Sequence, residues 1–152
     1  MCSYLVNPEL SGSQELASEM HQQGFFIPVT EARSSMKVLV VDDESGIRKL
    51  VSQMLAILGY EAVTAENGLE AVCLFAANRP HIDIVITDMQ MPVMDGYETV
   101  RQLRKIHPGV RIVAMSAYFA STCPPGVAFL EKPFSLADLR DSLAAAALKK
   151  AS

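Results

Sequence analysis

The chain has no tryptophan and only three cysteines, Cys2, Cys73 and Cys123, among its 152 residues. No cysteine stands at CxxC or Cys/His ligand spacing, and an odd number argues against a disulfide framework. Reduced thiols in a cytoplasmic protein account for them. Positive charge is also scarce: 13 Lys and Arg face 17 Asp and Glu, for a formal net charge of −4. That balance offers no broad basic footprint for nucleic acid or an anionic membrane, and Lys149–Lys150 is too short a run to supply one. No apolar stretch is long enough to span a bilayer, and the N-terminus lacks the charged start and apolar core of a signal peptide. The histidines, His21, His81 and His107, are scattered without ligand spacing.

What is present is material for a core. Half the residues are hydrophobic (50%) and 20% are charged, a composition that folds. Residues 1–35 are broken by Pro8, Gly12, Gly24 and Pro28, with Ser13 placed to cap a short helix bearing Leu16 and Met20. They read as an N-terminal extension or linker, with Met36 as an alternative start, and residues 36–150 as the folded domain.

From Met36 onward, short β-branched runs recur at Val38–Val41, Ala62–Thr64, Ile82–Ile86, Val110–Met115 and Val127–Leu130. Nearly continuous apolar strands of this kind are buried on both faces of a parallel sheet. Helical periodicity falls between them. Ile47, Leu50, Val51, Met54, Leu55 and Leu58 share a helix face closed by Gly59. Asn67 with Glu70, and Ser135 with Asp138, make capping boxes for a second and a final helix. Val100, Leu103 and Ile106 mark another helix, ending before Pro108. The alternation predicts βαβ units in an α/β, doubly wound, five-stranded parallel sheet; if its order is the flavodoxin-like 2-1-3-4-5, the ends of strands one, three, four and five border one crevice.

In such sheets ligands sit beyond the carboxyl ends of the strands, near the reversal of strand order. Asp42, Asp43 and Glu44 end the first strand, Asp88 the third, Ser116 the fourth and Lys132–Pro133 the fifth. Each has a plainer reading alone: helix N-terminal acids, a loop acid, a strand-end hydroxyl, a solvated lysine. Their joint placement around one crevice favours chemistry. Clustered carboxylates repel unless a hard cation such as Mg²⁺ offsets them. An ionised aspartate beside a metal, a lysine and a hydroxyl is equipped to accept a phosphoryl group as an acyl phosphate.

The segments VLVVDDE and TDMQMPVMDG, the Ser116 strand end and FLEKPF resemble the response-regulator receiver domain of two-component signalling, in its chemotaxis-type single-domain form. The resemblance runs from about Met36 to Lys149 and implies roles for individual residues. Asp88 is the phosphoacceptor. Asp43 binds Mg²⁺ directly, Asp42 partly through water, and Asp88 and the Gln90 backbone carbonyl complete the metal set. Ser116 moves toward the phosphoryl group, Lys132 pairs with it, and Phe129 is the switch aromatic. The Lys132–Pro133 bond is cis in the family. The donor is a sensor histidine kinase or phosphotransfer protein; the downstream target is an unknown protein, and a homodimer is compatible.

One departure stands out. Only Ala117 to Gly126 separates strands four and five, and Pro124, Pro125 and Gly126 oppose helix. A shortened or missing fourth helix is expected, with at most a turn near Tyr118–Thr122 and a mobile loop offering apolar surface. No effector domain is expected after the last helix, so output runs through protein contacts, onward phosphotransfer, or a parent hybrid kinase. The chain is expected to be no enzyme beyond weak self-dephosphorylation, whose rate Gln90 and Tyr118 tune. A haloacid-dehalogenase-like phosphatase would carry a second aspartate where Gln90 stands. A receiver-like module that is never phosphorylated is the other alternative.

Overall fold

The computed structural model describes residues 35–78, 81–118 and 123–149. The expectations for the N-terminal extension before Ser35, including the Ser13 helix, and for a turn over residues 119–122 lie outside the described residues. The elements are β1 (Lys37–Val41), α1 (Ser45–Ile57), β2 (Glu61–Ala65), α2 (Gly68–Asn78) and β3 (Ile84–Asp88). They continue with α3 (Gly96–Ile106), β4 (Arg111–Ser116), β5 (Ala128–Glu131) and α4 (Leu136–Leu148). The strands form one parallel sheet in the order β2-β1-β3-β4-β5, the flavodoxin-like order.

Period-two alternation divides the strand side chains between two cores. Leu39, Val41, Val85, Ile112 and Ala114 face α2 and α3, which contribute Ala71, Phe75, Val100 and Leu103. Val38, Val40, Ile84, Ile86, Val113, Met115 and Leu130 face α1 and α4, which contribute Val51, Leu55, Leu139 and Leu143. Sequence periodicity extends the third strand back to Ile82, but the strand begins at Ile84. Ile82 is buried, so the apolar pattern tracks burial rather than ladder pairing. Asp83 occupies the entry instead: its carboxylate accepts the Lys37 N–H at 2.8 Å.

Helix ends follow local chemistry. Gly59 takes a left-handed φ of 88° after α1, as a helix stop requires. At α4 the capping box is complete, with Ser135 and Asp138 bonded reciprocally. At α2 it is half formed. Asn67 accepts the Glu70 N–H at 2.8 Å, but the Glu70 carboxylate accepts from Glu66 N (2.7 Å), one residue outside the predicted partner.

The described residues between β4 and β5 contain no helix. Side chains from the flanking helices tether this crossover. Arg104 of α3 donates to the Pro125 carbonyl at 2.6 Å, and Lys149, just after α4, donates to the Val127 carbonyl at 2.6 Å.

Candidate functional site

β1 runs into Asp42, which is completely buried and holds two partners at once. Its Oδ1 accepts the Glu44 N–H at 2.9 Å, and its Oδ2 accepts from Lys132 Nζ at 2.9 Å. Asp43 is exposed. Asp88 is the last residue of β3 and is buried, with Oδ2 3.5 Å from Lys132 Nζ and Oδ1 accepting the Gln90 N–H at 3.3 Å. Asp42, Asp43 and Asp88 each present an oxygen within 4.8 Å of the others. The strand order explains the meeting, because β1 and β3 are neighbours and β4 brings β5 alongside. Lys132 is placed by its own N–H, which donates to the Ser116 carbonyl at 2.9 Å, and the bond to Pro133 is cis.

Burial pushes the Asp88 carboxyl above the usual carboxylate range, and the Asp42 charge adds to the rise. The Lys132 charge and the Gln90 N–H oppose it without cancelling it. For Lys132, burial works against the ammonium, but the hydrogen bond to Asp42 and the charges of Asp88 and Asp42 outweigh it and raise its pKa. At such spacing two carboxylates repel by roughly 3 kcal/mol even at an effective dielectric of about 20. One lysine among three carboxylates leaves an excess of negative charge, offered entirely through oxygen. That donor set fits a hard divalent cation, and exposed Asp43 keeps one side open to its water shell.

Ser116 ends β4 with its side chain buried, and its Oγ accepts the Tyr118 N–H at 3.0 Å. The hydroxyl proton therefore remains available for donation. Phe129 is half-buried on β5 and pairs in register with Ala114. Its strand neighbours Ala128 and Leu130 join the α1/α4 core, so alternation turns Phe129 to the opposite face, where the described crossover residues hold no helix. The structure thus brings Asp42, Asp43, Asp88, Lys132 and the Gln90 backbone together, borders them with Ser116, and keeps Phe129 apart.

Sequence reasoning missed three contributors. Arg48 of α1 donates to the Asp42 carbonyl at 2.7 Å and pairs with Glu66 at 3.7 Å, tying the acidic turn to the end of β2. Its place one turn into a helix after an acidic run was a cue, though on the helix pattern it looks like an ordinary polar residue. Thr87 is fully buried and donates to the Asp88 carbonyl at 3.0 Å. Gly96 opens α3 so close to the acceptor that an added Cβ would stand 2.6 Å from the Asp88 carbonyl oxygen. In the intervening loop Val93 adopts φ 72°, costly for a β-branched residue; such strain gathers where a loop is held for function.

Residues 38–144 match the family model for the response regulator receiver domain. Sporulation initiation phosphotransferase F of Bacillus subtilis is 34% identical over 113 residues, covering 70% of this chain and 90% of that protein. Sensor kinase CckA of Brucella abortus is 37% identical over 116 residues, 72% of this chain but 12% of that protein. Among solved structures, the chemotaxis protein CheY4 of Vibrio cholerae aligns with a TM-score of 0.66 at 32% identity, covering 74% of this chain and 98% of that one. A chain of the CheX–CheY–BeF3–Mg complex of Borrelia burgdorferi aligns at 0.71 with 28% identity, covering 75% of this chain and 90% of that one.

Proposed function

The chain belongs to the response regulator receiver domain family, and from that premise we propose that it is a cytoplasmic switch phosphorylated on Asp88. The observation that carries the reading is the buried Asp88 at the end of β3, held against Lys132 beside Asp42 and Asp43. Asp42, Asp43, Asp88 and the Gln90 carbonyl would hold Mg²⁺, which supplies neutralising charge for the incoming phosphoryl group.

The Asp88 carboxylate attacks the phosphorus of a phosphohistidine on a sensor kinase or phosphotransfer protein. An O–P bond forms, the P–N bond breaks, and the imidazole leaves with its electron pair and is protonated. An ionised carboxylate needs no general base, so positioning and charge neutralisation carry the step. Lys132 is already within 3.5 Å of Asp88 and pairs with the added negative charge. Ser116 turns its free hydroxyl proton to a phosphoryl oxygen. Phe129 follows Ser116 as the coupling residue between site and surface, and phosphorylation biases the pair of states. The protein is a phosphoacceptor with slow self-dephosphorylation rather than an enzyme acting on other substrates, and its output is a changed protein contact.

A second reading is that the chain is the receiver portion of a larger hybrid kinase, favoured by the match to 12% of sensor kinase CckA. Intact mass after incubation with acetyl phosphate and Mg²⁺ tests the central claim. One added phosphoryl group is expected, absent in Asp88→Asn and after chelation. No addition under conditions that label an ordinary receiver would favour a phosphorylation-independent interaction module.

A further inference from the structure

Asp42 is held at every polar atom. Its N–H donates to the Ala65 carbonyl at 3.3 Å, and its carboxylate accepts from the Glu44 N–H and from Lys132 Nζ, each at 2.9 Å. Its carbonyl accepts from Arg48 Nη1 at 2.7 Å. Asp43 differs. It is exposed, and among the described residues its carboxylate accepts no hydrogen bond and makes no ion pair. An oxygen of that carboxylate nevertheless lies within 4.8 Å of one from Asp42 and one from Asp88. Its aim therefore comes from the backbone that carries it.

The peptide group between Asp42 and Asp43 is planar, so the Asp42 carbonyl oxygen and the Asp43 N–H move as one body. Arg48 grips that oxygen from the first turn of α1, where its own N–H donates to the Glu44 carbonyl at 3.1 Å. Turning the plane would swing Asp43 and break the 2.7 Å bond. The other end of the guanidinium, Nη2, stands 3.7 Å from Glu66 Oε1, just beyond β2. The Arg48 side chain is only 15% exposed but that of Glu66 is 73%, so the carbonyl bond is the firm contact and the ion pair the loose one. Arg48 is also a cation beside a donor set for a cation. On charge alone its removal would tighten Mg²⁺ binding, whereas loss of a grip on Asp43 would weaken it. The sign separates the two roles.

We propose that Arg48 is a positioning residue for the metal site: by holding the Asp42–Asp43 peptide plane it aims the Asp43 carboxylate at the Mg²⁺ position before the ion arrives. The inference rests on the reading of Asp42, Asp43 and Asp88 as Mg²⁺ ligands, and it assigns the preorganisation of that set to one side chain outside it.

Two variants of the full chain test it. Arg48→Met removes the charge and the donors; Arg48→Lys keeps the charge and one donor group. Arginine, methionine and lysine have nearly equal helix propensity, so α1 is unaffected by the choice. Calorimetry measures the Mg²⁺ dissociation constant, and ¹⁵N relaxation measures the order parameter of the Asp43 amide without metal. Arg48→Met is expected to bind Mg²⁺ about tenfold more weakly. Its Asp43 order parameter should fall from about 0.85 toward about 0.6. Arg48→Lys cannot span both partners as the planar guanidinium does, and should weaken binding about threefold. If Arg48→Met bound Mg²⁺ as tightly as the wild type or more tightly, Arg48 would be a charge alone and the inference would be overturned. An unchanged Asp43 order parameter would overturn it too. If Arg48→Met did not fold, the Arg48→Lys affinity would decide, and a value equal to the wild type would overturn it. A wild type that bound no Mg²⁺ would remove the metal reading and the inference together. A wild type that bound it while both variants matched would remove the inference alone.

Discussion

Replacing Gly96 by alanine puts one methyl group where the site has no room for it. The new Cβ would stand 2.5 Å from the Met89 Cα, 2.6 Å from the Asp88 carbonyl oxygen and 2.7 Å from the Met89 Sδ, against ordinary contacts of 3.4 Å or more. The sulfur lies on a flexible side chain and can swing away, but the other two atoms are backbone. They must separate by roughly 0.9 Å (3.4 − 2.5), which stretches the 3.1 Å bond from the Gly96 N–H to the Met89 carbonyl. Overpacking costs about 1–3 kcal/mol, and a contact with backbone belongs near the top of that range. Displacing a reacting group by about 1 Å can also cost about 10²-fold in rate. The expected result is a variant destabilised by about 3 kcal/mol in urea titrations followed by circular dichroism. Its initial rate of labelling by acetyl phosphate, normalised to folded protein, should fall between ten- and a hundredfold. Gly46→Ala is the control, since nothing lies within 4 Å of its Cβ position in α1 and alanine favours helix by about 0.5–1 kcal/mol. If Gly96→Ala were as stable as the wild type and labelled at its rate, the close approach would have no mechanical consequence and the reasoning would fail.

Asp88→Asn should stabilise the metal-free protein at pH 7. The folded-state pKa of Asp88 lies above its usual 3.8, so ionisation costs stability as pH rises through that value, and asparagine removes the cost. The advantage over wild type should close as pH falls below 3.8, and a gap that widened in acid would contradict the sign. Adding Mg²⁺ to ten times its dissociation constant should raise wild-type stability by about 1.4 kcal/mol, with the gain reduced in Asp43→Asn; thermal melts with and without chelator measure both. Ser135→Ala should cost about 1 kcal/mol through the lost α4 cap while leaving acetyl-phosphate labelling unchanged per folded molecule, and impaired labelling would show that the cap also positions the site.

The sheet was legible because its strands are short apolar runs, and buried parallel strands require such runs. The cluster was legible for a related reason: polar residues that break those runs at their carboxyl ends are carried to one crevice by the strand order. Asp42, Asp88 and Lys132 therefore emerged together from pattern alone. Arg48 did not, because its bond to the Asp42 carbonyl depends on how α1 leaves the turn, and helix periodicity does not report that angle. Gly96 showed as part of a loop signature, yet the reason for glycine there is a contact with Met89, seven residues earlier. Glu70 was placed one partner too far along: its carboxylate accepts from Glu66 N rather than Asn67 N. That the described residues between β4 and β5 hold no helix was legible by subtraction. The side chains that tether the crossover, Arg104 and Lys149, were not, because both act through backbone carbonyls that any sequence would present.

The ion pair between Lys132 and Asp42 joins residues 90 apart, at opposite ends of the folding order. A chain emerging from the ribosome as far as Ser116 already carries every carboxylate of the cluster, on strands able to pair with one another. It lacks the cation that holds the buried Asp42 in place until β5 has docked and Lys132 has arrived. The complete charge arrangement of the site thus arrives last, together with completion of the sheet. On the proposed reading, a molecule partly made or locally opened at that edge lacks the Lys132 charge opposite Asp88 and should accept a phosphoryl group poorly.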